Sequence, residues 1–296
     1  SGLFNLFTTN ESEIDRKTAK SPVLQQVGCR RAHPECDLSR VQVTHDIFDV
    51  ARNPDIDILV EVIGGVDTAR ELIMEAIVNG KHIVTANKAL IALYGDEVFE
   101  AARKNDVSIR YEAAIAGGIP IVKAIREGLV GNRINWVAGI INGTSNFILS
   151  EMARPGSSRS FDDVLKEAQD LGYAEADPTF DIEGVDAAHK LTILASIAFG
   201  IPLSFSKIYR QGISSVMPID VQLALELGYR IRHLGIAKKL DDVVELRVHP
   251  SLVPEHEMLA RVDGVMNAVM VGSDVIYNNL HTSTLQKVGA HEQRSY

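Results

Sequence analysis

The sequence predicts an α/β protein, a doubly wound parallel sheet joined to a second, α+β domain. Three observations lead there. Over residues 1–117, short β-rich runs alternate with amphipathic helical stretches across connections of a few residues, the pattern of right-handed βαβ units. From Ile119 that alternation stops, and longer helices mixed with β-like runs replace it. The 296 residues, 46% hydrophobic and 23% charged, have a globular composition and the length for one large core or two of moderate size.

Each element follows from local pattern. Leu3, Leu6 and Phe7 form an apolar stripe at helical spacing, with a polar tail to Lys20. Val23–Cys29 reads as a strand, and Ile47–Arg52 as a short helix stopped by Asn53-Pro54. Ile56–Ile63 is the cleanest strand, halted by Gly64-Gly65. Asp67 or Thr68 is placed to cap the next helix, whose Leu72, Ile73, Ala76 and Ile77 share a face and which ends at Asn79-Gly80. His82–Thr85 is a strand, Ala89–Lys104 a helix and Val107–Tyr111 a strand leading to Ala116-Gly117-Gly118. The domain boundary is expected there, dividing 1–117 from 118–296. Beyond it come a helix to about Leu129, a β-like run Ile134–Ile141, a turn at Asn142-Gly143-Thr144 and a polar insert over Ala153–Ser160. Helices follow at Phe161–Leu171 and Val185–Phe199, with β-like runs at Val243–Val248 and Met266–Val271. Trp136 alternates with apolar neighbours, as a core residue does.

Composition also excludes. Thirty basic residues against 39 acidic give a formal charge of −9, which argues against nucleic acid or an anionic membrane as main partner. Two cysteines, Cys29 and Cys36, are too few for a disulfide scaffold and match no zinc spacing, so a reduced, cytoplasmic setting is expected. The longest apolar stretch, Ala113–Val122, is too short to span a bilayer, and no signal peptide is visible.

Doubly wound folds hold phosphate on a glycine turn after the first strand, and bind ligands at the carboxyl ends of strands. No G-x-G-x-x-G occurs, and no strand precedes the helical pattern that starts at Ser1-Gly2. The expectation is that the first strand and glycine turn lie ahead of Ser1. The remaining strand ends supply Gly64-Gly65 and Thr85-Ala86-Asn87-Lys88. A cation at a helix start opposes the dipole, so Lys88 points to function more than to a solvated helix end. Arg30-Arg31 follows the Val23–Cys29 strand and either meets a 2′-phosphate or is a pair of surface arginines. The densest polar cluster runs from Gly172 to Asp181, followed by Glu183, Asp186, His189 and Lys190. Helical spacing puts Asp186 and Lys190 at i and i+4, ahead of a helix apolar nearly all round. A lysine entering a buried element needs a carboxylate partner, and desolvation can shift such an amine toward proton transfer. Glu112 with Ile115, Gly117 and Ile119 offers a carboxylate and a kinked backbone that fits either a turn cap or a hard monovalent cation. The nine histidines show no ligand spacing.

Five stretches together resemble the homoserine dehydrogenases: DIDILVEVIGG (Asp55–Gly65), GKHIVTANKAL (Gly80–Leu90), YEAAIAGGIPIV (Tyr111–Val122), GIINGTSNFIL (Gly139–Leu149) and LGYAEADPTFDIEGVDAAHKLTILA (Leu171–Ala195). They keep the family's order and spacing over about half of the chain. The resemblance implies a Rossmann-type dinucleotide-binding domain and a catalytic and dimerisation domain. It also implies NADP- or NAD-dependent interconversion of L-aspartate 4-semialdehyde and L-homoserine, on the way to threonine, methionine and isoleucine. Under it Lys190 matches the catalytic lysine, Asp186 its partner, and Lys88 the lysine near nicotinamide and substrate. Glu175 matches the residue that binds the substrate's amino group, with Tyr173 and Asp181 in the same motif. Gly64, Gly65, Lys88 and Arg30 fall on the cofactor side, Arg30 near the arginine that favours NADP. Glu112, Ile115, Gly117 and Ile119 match a sodium site, the last three through carbonyls, and the family is homodimeric through the domain that holds Ile134–Ile141. After the NAVMV run (Asn267–Val271) the family's glycine-rich closing segment is not recognisable in VGSDVIYNNLHTSTLQKVGAHEQRSY. A catalytically silent remnant that only dimerises or binds substrate is therefore the alternative reading.

Overall fold

A computed structural model describes residues 2–31, 36–157 and 159–274. Ser1 and the residues after Asp274, on which two of the sequence expectations fall, lie outside the described residues. The chain opens with α1 (Gly2–Thr9) and α2 (Glu11–Lys17), neither of which buries a residue. The predicted helical stripe is therefore present, but Leu3 and Leu6 are exposed. Next, β1 (Gln26–Gly28) pairs in parallel with β2 (Gln42–Thr44), a strand without a sequence signal. The short helix α3 (Ile47–Arg52) follows, capped by the Asp46 carboxylate, which accepts from the Phe48 N–H at 2.9 Å.

A three-stranded parallel sheet is built from β3 (Ile58–Glu61), β4 (His82–Thr85) and β5 (Ile109–Arg110), with α4 (Asp67–Val78) and α5 (Lys88–Lys104) as crossovers. Strands and helices alternate as expected, though the parallel strands form a pair and a triplet instead of one ladder. The β3 ladder starts two residues late for a visible reason. The Lys81 ammonium, buried, donates to the carbonyls of Asn53 and Ile56 (2.8 Å for the latter), so that backbone is satisfied by a side chain instead of a strand. Asp67 and Thr68 do not cap α4. Its N-cap position is Val66, with no side-chain bond, and Asp67 instead places a carboxylate in the first turn, where the dipole favours it.

The second part adds α6 (Ile121–Lys123), which runs on as a π turn over Ala124–Gly128, then β6 (Ile134–Ile140). The predicted turn at Asn142 is instead the start of α7 (Gly143–Met152), because the Asn142 side chain accepts from the Ser145 N–H and caps it. There follow α8 (Phe161–Asp170), α9 (Thr179–Ile182), α10 (Val185–Phe199), β7 (Tyr209–Arg210), α11 (Pro218–Glu226), β8 (Tyr229–Leu240), β9 (Val243–Pro254) and β10 (Ala268–Ser273). The sheet order is β10-β6-β8-β9-β7, antiparallel except for the β7–β9 pair. Trp136 on β6 is only half-buried, against the Ile140–Leu234 cluster.

One apolar cluster runs through both parts, joining Ile73, Ile83 and Leu90 to Ile121, Leu191 and Leu194. Helix α10 lies at the centre of it and touches both α5 and the second sheet. That packing brings the start of α10 against the start of α5. Among the described residues no helix is long and apolar enough to cross a membrane.

Candidate functional site

The carboxyl end of the three-stranded sheet forms one wall. Gly64 and Gly65 follow β3 with φ of +72° and +71°, a left-handed pair that other residues adopt only with strain. A Cβ built on either glycine would meet nothing within 4 Å, so the backbone there faces open space that a ligand can approach. This turn is tied to the next strand end. The buried Glu61 carboxylate accepts from the Ile63 N–H (3.0 Å) and from the Thr85 hydroxyl (2.5 Å). Thr85 Oγ1 in turn accepts from the Asn87 N–H at 2.9 Å, and Asn87 Nδ2 donates to the Gly65 carbonyl at 2.6 Å. Asn87 Oδ1 accepts from the Leu90 N–H and so caps α5, whose first residue is Lys88.

The opposite wall is the start of α10. Asp186, buried, holds two lysines with its two oxygens: Lys88 Nζ stands 3.1 Å from Oδ1 and Lys190 Nζ 2.6 Å from Oδ2. Lys190 also donates to the Ile141 carbonyl at 2.7 Å, at the end of β6. Asn142 Nδ2 donates to Asp186 Oδ2 (2.9 Å) and to Asp181 Oδ1 (2.7 Å). The Thr144 hydroxyl meets Asp181 Oδ2 at 3.0 Å and the Tyr173 carbonyl at 2.7 Å. Side chains from α5, from α7 and its cap, and from α10 thus converge on two carboxylates.

Electrostatics separate those two. Burial pushes the Asp186 carboxyl up, and the Lys190 and Lys88 ammoniums overcome it, holding the group down at about 2. Burial, then the charge of Asp186, push the Asp181 carboxyl above its ordinary value. His189, stacked against Phe205 with ring centroids 4.3 Å apart, is lowered by burial to about 4 and is neutral at physiological pH.

The sequence-predicted residues therefore divide. Lys88, Asp186, Lys190 and Asp181 are brought together, and Gly64 and Gly65 are joined to them through Asn87. Tyr173 enters by its main-chain carbonyl, while its ring packs on Phe147 at 5.0 Å. Glu175 is exposed and makes no side-chain hydrogen bond or ion pair among the described residues. Arg30 is exposed just beyond β1 and, among the described residues, likewise makes no side-chain hydrogen bond or ion pair.

Glu112 acts as a helix cap. Its carboxylate accepts from the Val122 and Lys123 N–H groups (2.8 and 3.0 Å), at the start of α6. The Ile119 carbonyl accepts from the Ile121 N–H at 2.7 Å, whereas those of Ile115 and Gly117 receive no protein donor among the described residues. Among the described residues, no group of three or more His, Cys, Asp or Glu side chains is placed to hold a metal ion.

Sequence reasoning missed Asn142, Thr144 and Glu61. A signal was present for the first: beyond Gly143 the run Thr144–Met152 has no Gly or Pro breaker, so Asn142 marks a helix start as much as a turn. For Glu61, a lone acid inside an apolar strand run was the clue, since such a group must find buried donors.

The chain is similar to known proteins in sequence and in fold. Residues 1–112 match the family "Homoserine dehydrogenase, NAD binding domain" and residues 120–293 the family "Homoserine dehydrogenase". A homoserine dehydrogenase of Pseudomonas aeruginosa is 59% identical over 280 residues, covering 95% of this chain and 64% of the relative. A crystal structure of a homoserine dehydrogenase from Thiobacillus denitrificans superposes with a TM-score of 0.89 at 56% identity, over 93% of this chain and 64% of that one. A hyperthermophilic archaeal homoserine dehydrogenase solved in complex with NADPH is similar at a TM-score of 0.69 and 26% identity, over 95% of this chain and 76% of that one. The chain spans a little under two thirds of the length of the homoserine dehydrogenases of Pseudomonas aeruginosa and Neisseria gonorrhoeae, two curated relatives that it matches.

Proposed function

The chain belongs to the homoserine dehydrogenase family, and from that premise we propose that it interconverts L-aspartate 4-semialdehyde and L-homoserine. The observation that carries this reading is the pair Lys88 and Lys190 gripping opposite oxygens of one buried carboxylate, across from an open left-handed glycine pair.

A nicotinamide cofactor, when bound, supplies the hydride. The residues present fit it: the open space over Gly64 and Gly65 is a cradle that a Cβ would begin to fill, and the Asn87 bridge holds it rigid. Arg30, exposed beyond β1 and without an ion pair among the described residues, supports NADP over NAD. Lys190 is the proton donor. Its ammonium has three N–H groups, of which one goes to Asp186 and one to the Ile141 carbonyl, so the third is free for the substrate's carbonyl oxygen. As hydride reaches the carbonyl carbon, Lys190 gives its proton to the oxygen, and in the reverse direction it takes the hydroxyl proton back. Asp186 fixes the direction of that N–H, and Lys88 adds a second positive charge where negative charge develops on oxygen. Glu175, an exposed carboxylate without a protein partner among the described residues, is the group for the substrate's ammonium. Tyr173 and Asp181 shape that side of the site.

The open carbonyls of Ile115 and Gly117 fit a sodium ion, with Glu112 beside them, since a carboxylate that accepts two N–H groups keeps free lone pairs. Exposed Tyr209, Val243 and Leu252 on the second sheet support a homodimer through that domain. We place the domain boundary near Gly117, where the βαβ alternation ends, and read the two cysteines, too few for a disulfide scaffold, as fitting a cytoplasmic setting.

Replacing Lys190 by Ala tests the mechanism. In the full-length enzyme, NADPH oxidation with aspartate semialdehyde is expected to fall roughly 100- to 10,000-fold with the fold intact by circular dichroism. Near-normal turnover in that variant removes Lys190 from the chemistry.

A further inference from the structure

Asn142 stands where a single amide must serve two acids. It is buried, and both hydrogens of its Nδ2 are spent, one on Asp181 at 2.7 Å and one on Asp186 at 2.9 Å. Its orientation is forced. Only the nitrogen can face two carboxylate oxygens, and only Oδ1 can accept from the Ser145 N–H at 2.8 Å. The side chain therefore has two separable jobs, capping α7 with its oxygen and linking two carboxylates with its nitrogen.

The link has a cost to offset. Asp181 and Asp186 both lie within reach of one nitrogen atom, and two carboxylates so close resist being ionised together. The cations around them are unevenly shared: Lys88 and Lys190 both bond Asp186, and neither bonds Asp181. Among the described residues Asp181 has as donors only Asn142 and the single Thr144 hydroxyl proton, which the Tyr173 carbonyl competes for at the shorter distance of 2.7 Å. His189, which also interacts with Asp186, is held neutral by burial and brings no charge.

We propose that Asn142 is a positioning residue of the reaction: its amide is the shared donor that lets Asp181 and Asp186 stand ionised side by side, so that Asp186 keeps both lysines in place. This rests on the proposed dehydrogenase activity. Without the amide, the carboxylate pair takes up a proton at higher pH. That proton goes to Asp181, the acid that no lysine bonds, and a protonated Asp181 can donate to Asp186 Oδ2, the oxygen that holds Lys190, whose third N–H then loses its direction.

Asn142→Ser separates the two jobs, because a serine hydroxyl caps a helix about as well as Asn but cannot donate to both acids. In the full-length enzyme, kcat/KM for homoserine should fall roughly ten- to a hundredfold, the effect of a lost hydrogen bond to a charged group. Its acidic limb should move to higher pH, with KM for the cofactor unchanged. A second variant, Asn142→Asp with Asp181→Asn, exchanges amide and acid. It should recover the melting temperature lost in Asn142→Asp alone, yet remain slow, because Asp186 then faces a carboxylate. A melting-temperature profile needs no activity. From about pH 4 upward, where a free Asp ionises, Asn142→Ser should lose more stability than the parent as pH rises, since raised carboxyls favour the protonated fold. An unmoved acidic limb in Asn142→Ser, or full activity in the exchanged variant, overturns the proposal. A parent enzyme without homoserine oxidation, but with the altered melting profile in Asn142→Ser, sinks the dehydrogenase reading and leaves the shared-donor geometry standing.

Discussion

Two lysines reach the same carboxylate from opposite parts of the molecule, and they are held differently. Lys190 rises from α10, one turn after Asp186, with its side chain 14% exposed and its ammonium wedged between Asp186 Oδ2 and the Ile141 carbonyl. Lys88 is the first residue of α5, 36% exposed, and Asp186 Oδ1 is its one acidic partner among the described residues. Its position opposes the helix dipole, which Asn87 leaves in place while satisfying the Leu90 N–H. A fixed, doubly bonded ammonium suits transfer of a proton to one defined oxygen. A looser one at the rim suits charge stabilisation for a ligand that spans both parts. The shared carboxylate is the contact through which each lysine senses the other.

The largest test of that comparison removes the shared group. Asp186→Asn leaves two cations without a counter-charge, one of them nearly buried, and breaking such a pair costs about 3–5 kcal/mol. A large drop in melting temperature is expected together with a loss of turnover as deep as that of Lys190→Ala. In the parent, the sign of the pH dependence follows from the depressed carboxyl. Asp186 contributes stability that is present above the unfolded value of about 3.9 and is lost as pH falls toward its folded value of about 2. Asp186→Asn should abolish that acid-side slope in a melting series. A variant as stable as the parent would mean that the lysines do not depend on Asp186.

Lys88→Met is the next largest. The methylene stem is kept and the charge removed, at a site too exposed for the pair to contribute more than about 1 kcal/mol. Stability should change little, while kcat/KM falls about tenfold, in line with the loss of one electrostatic contact to developing charge. Comparable damage to stability and to activity would make Lys88 a structural strut joining the two parts instead.

How much of this was legible depends on where each partner lies in the chain. Asp186 and Lys190 are four residues apart, so helix periodicity alone brought them together. The Ile47–Arg52, His82–Thr85 and Val185–Phe199 elements were readable because breakers or caps flank a clear apolar pattern. Lys88 came from the general rule for strand ends, but its contact with Asp186 spans 98 positions and depends on how α5 packs on α10. Asn142 and Thr144 were read as a turn, because their acidic partners lie 37 to 44 residues downstream. Strand β8 was hidden for another reason. Its YRIRHLGIAKKL carries Arg232 and His233, which look like surface residues but are buried, Arg232 bonding Ser150, the Ala260 carbonyl and Asp263. Polarity predicts exposure only until a fold supplies the partners.

The smallest expected effect gives the finest distinction between the two lysines. Arg keeps the charge and changes its shape, from a compact ammonium to a planar fork that does not deprotonate. At position 88 the side chain is partly in solvent and needs only to present positive charge to Asp186 and to a ligand. Lys88→Arg should therefore keep kcat within about threefold of the parent, with the cost confined to altered geometry at the rim. At position 190 the ammonium fits between two acceptors at 2.6 and 2.7 Å and must give up a proton. Lys190→Arg should be as inactive as Lys190→Ala, though charged and folded. Measured side by side at saturating cofactor, the pair separates a proton donor from a charge. If Lys88→Arg is as inactive as Lys190→Arg, then Lys88 does more than supply charge, and the division of labour between the two walls fails.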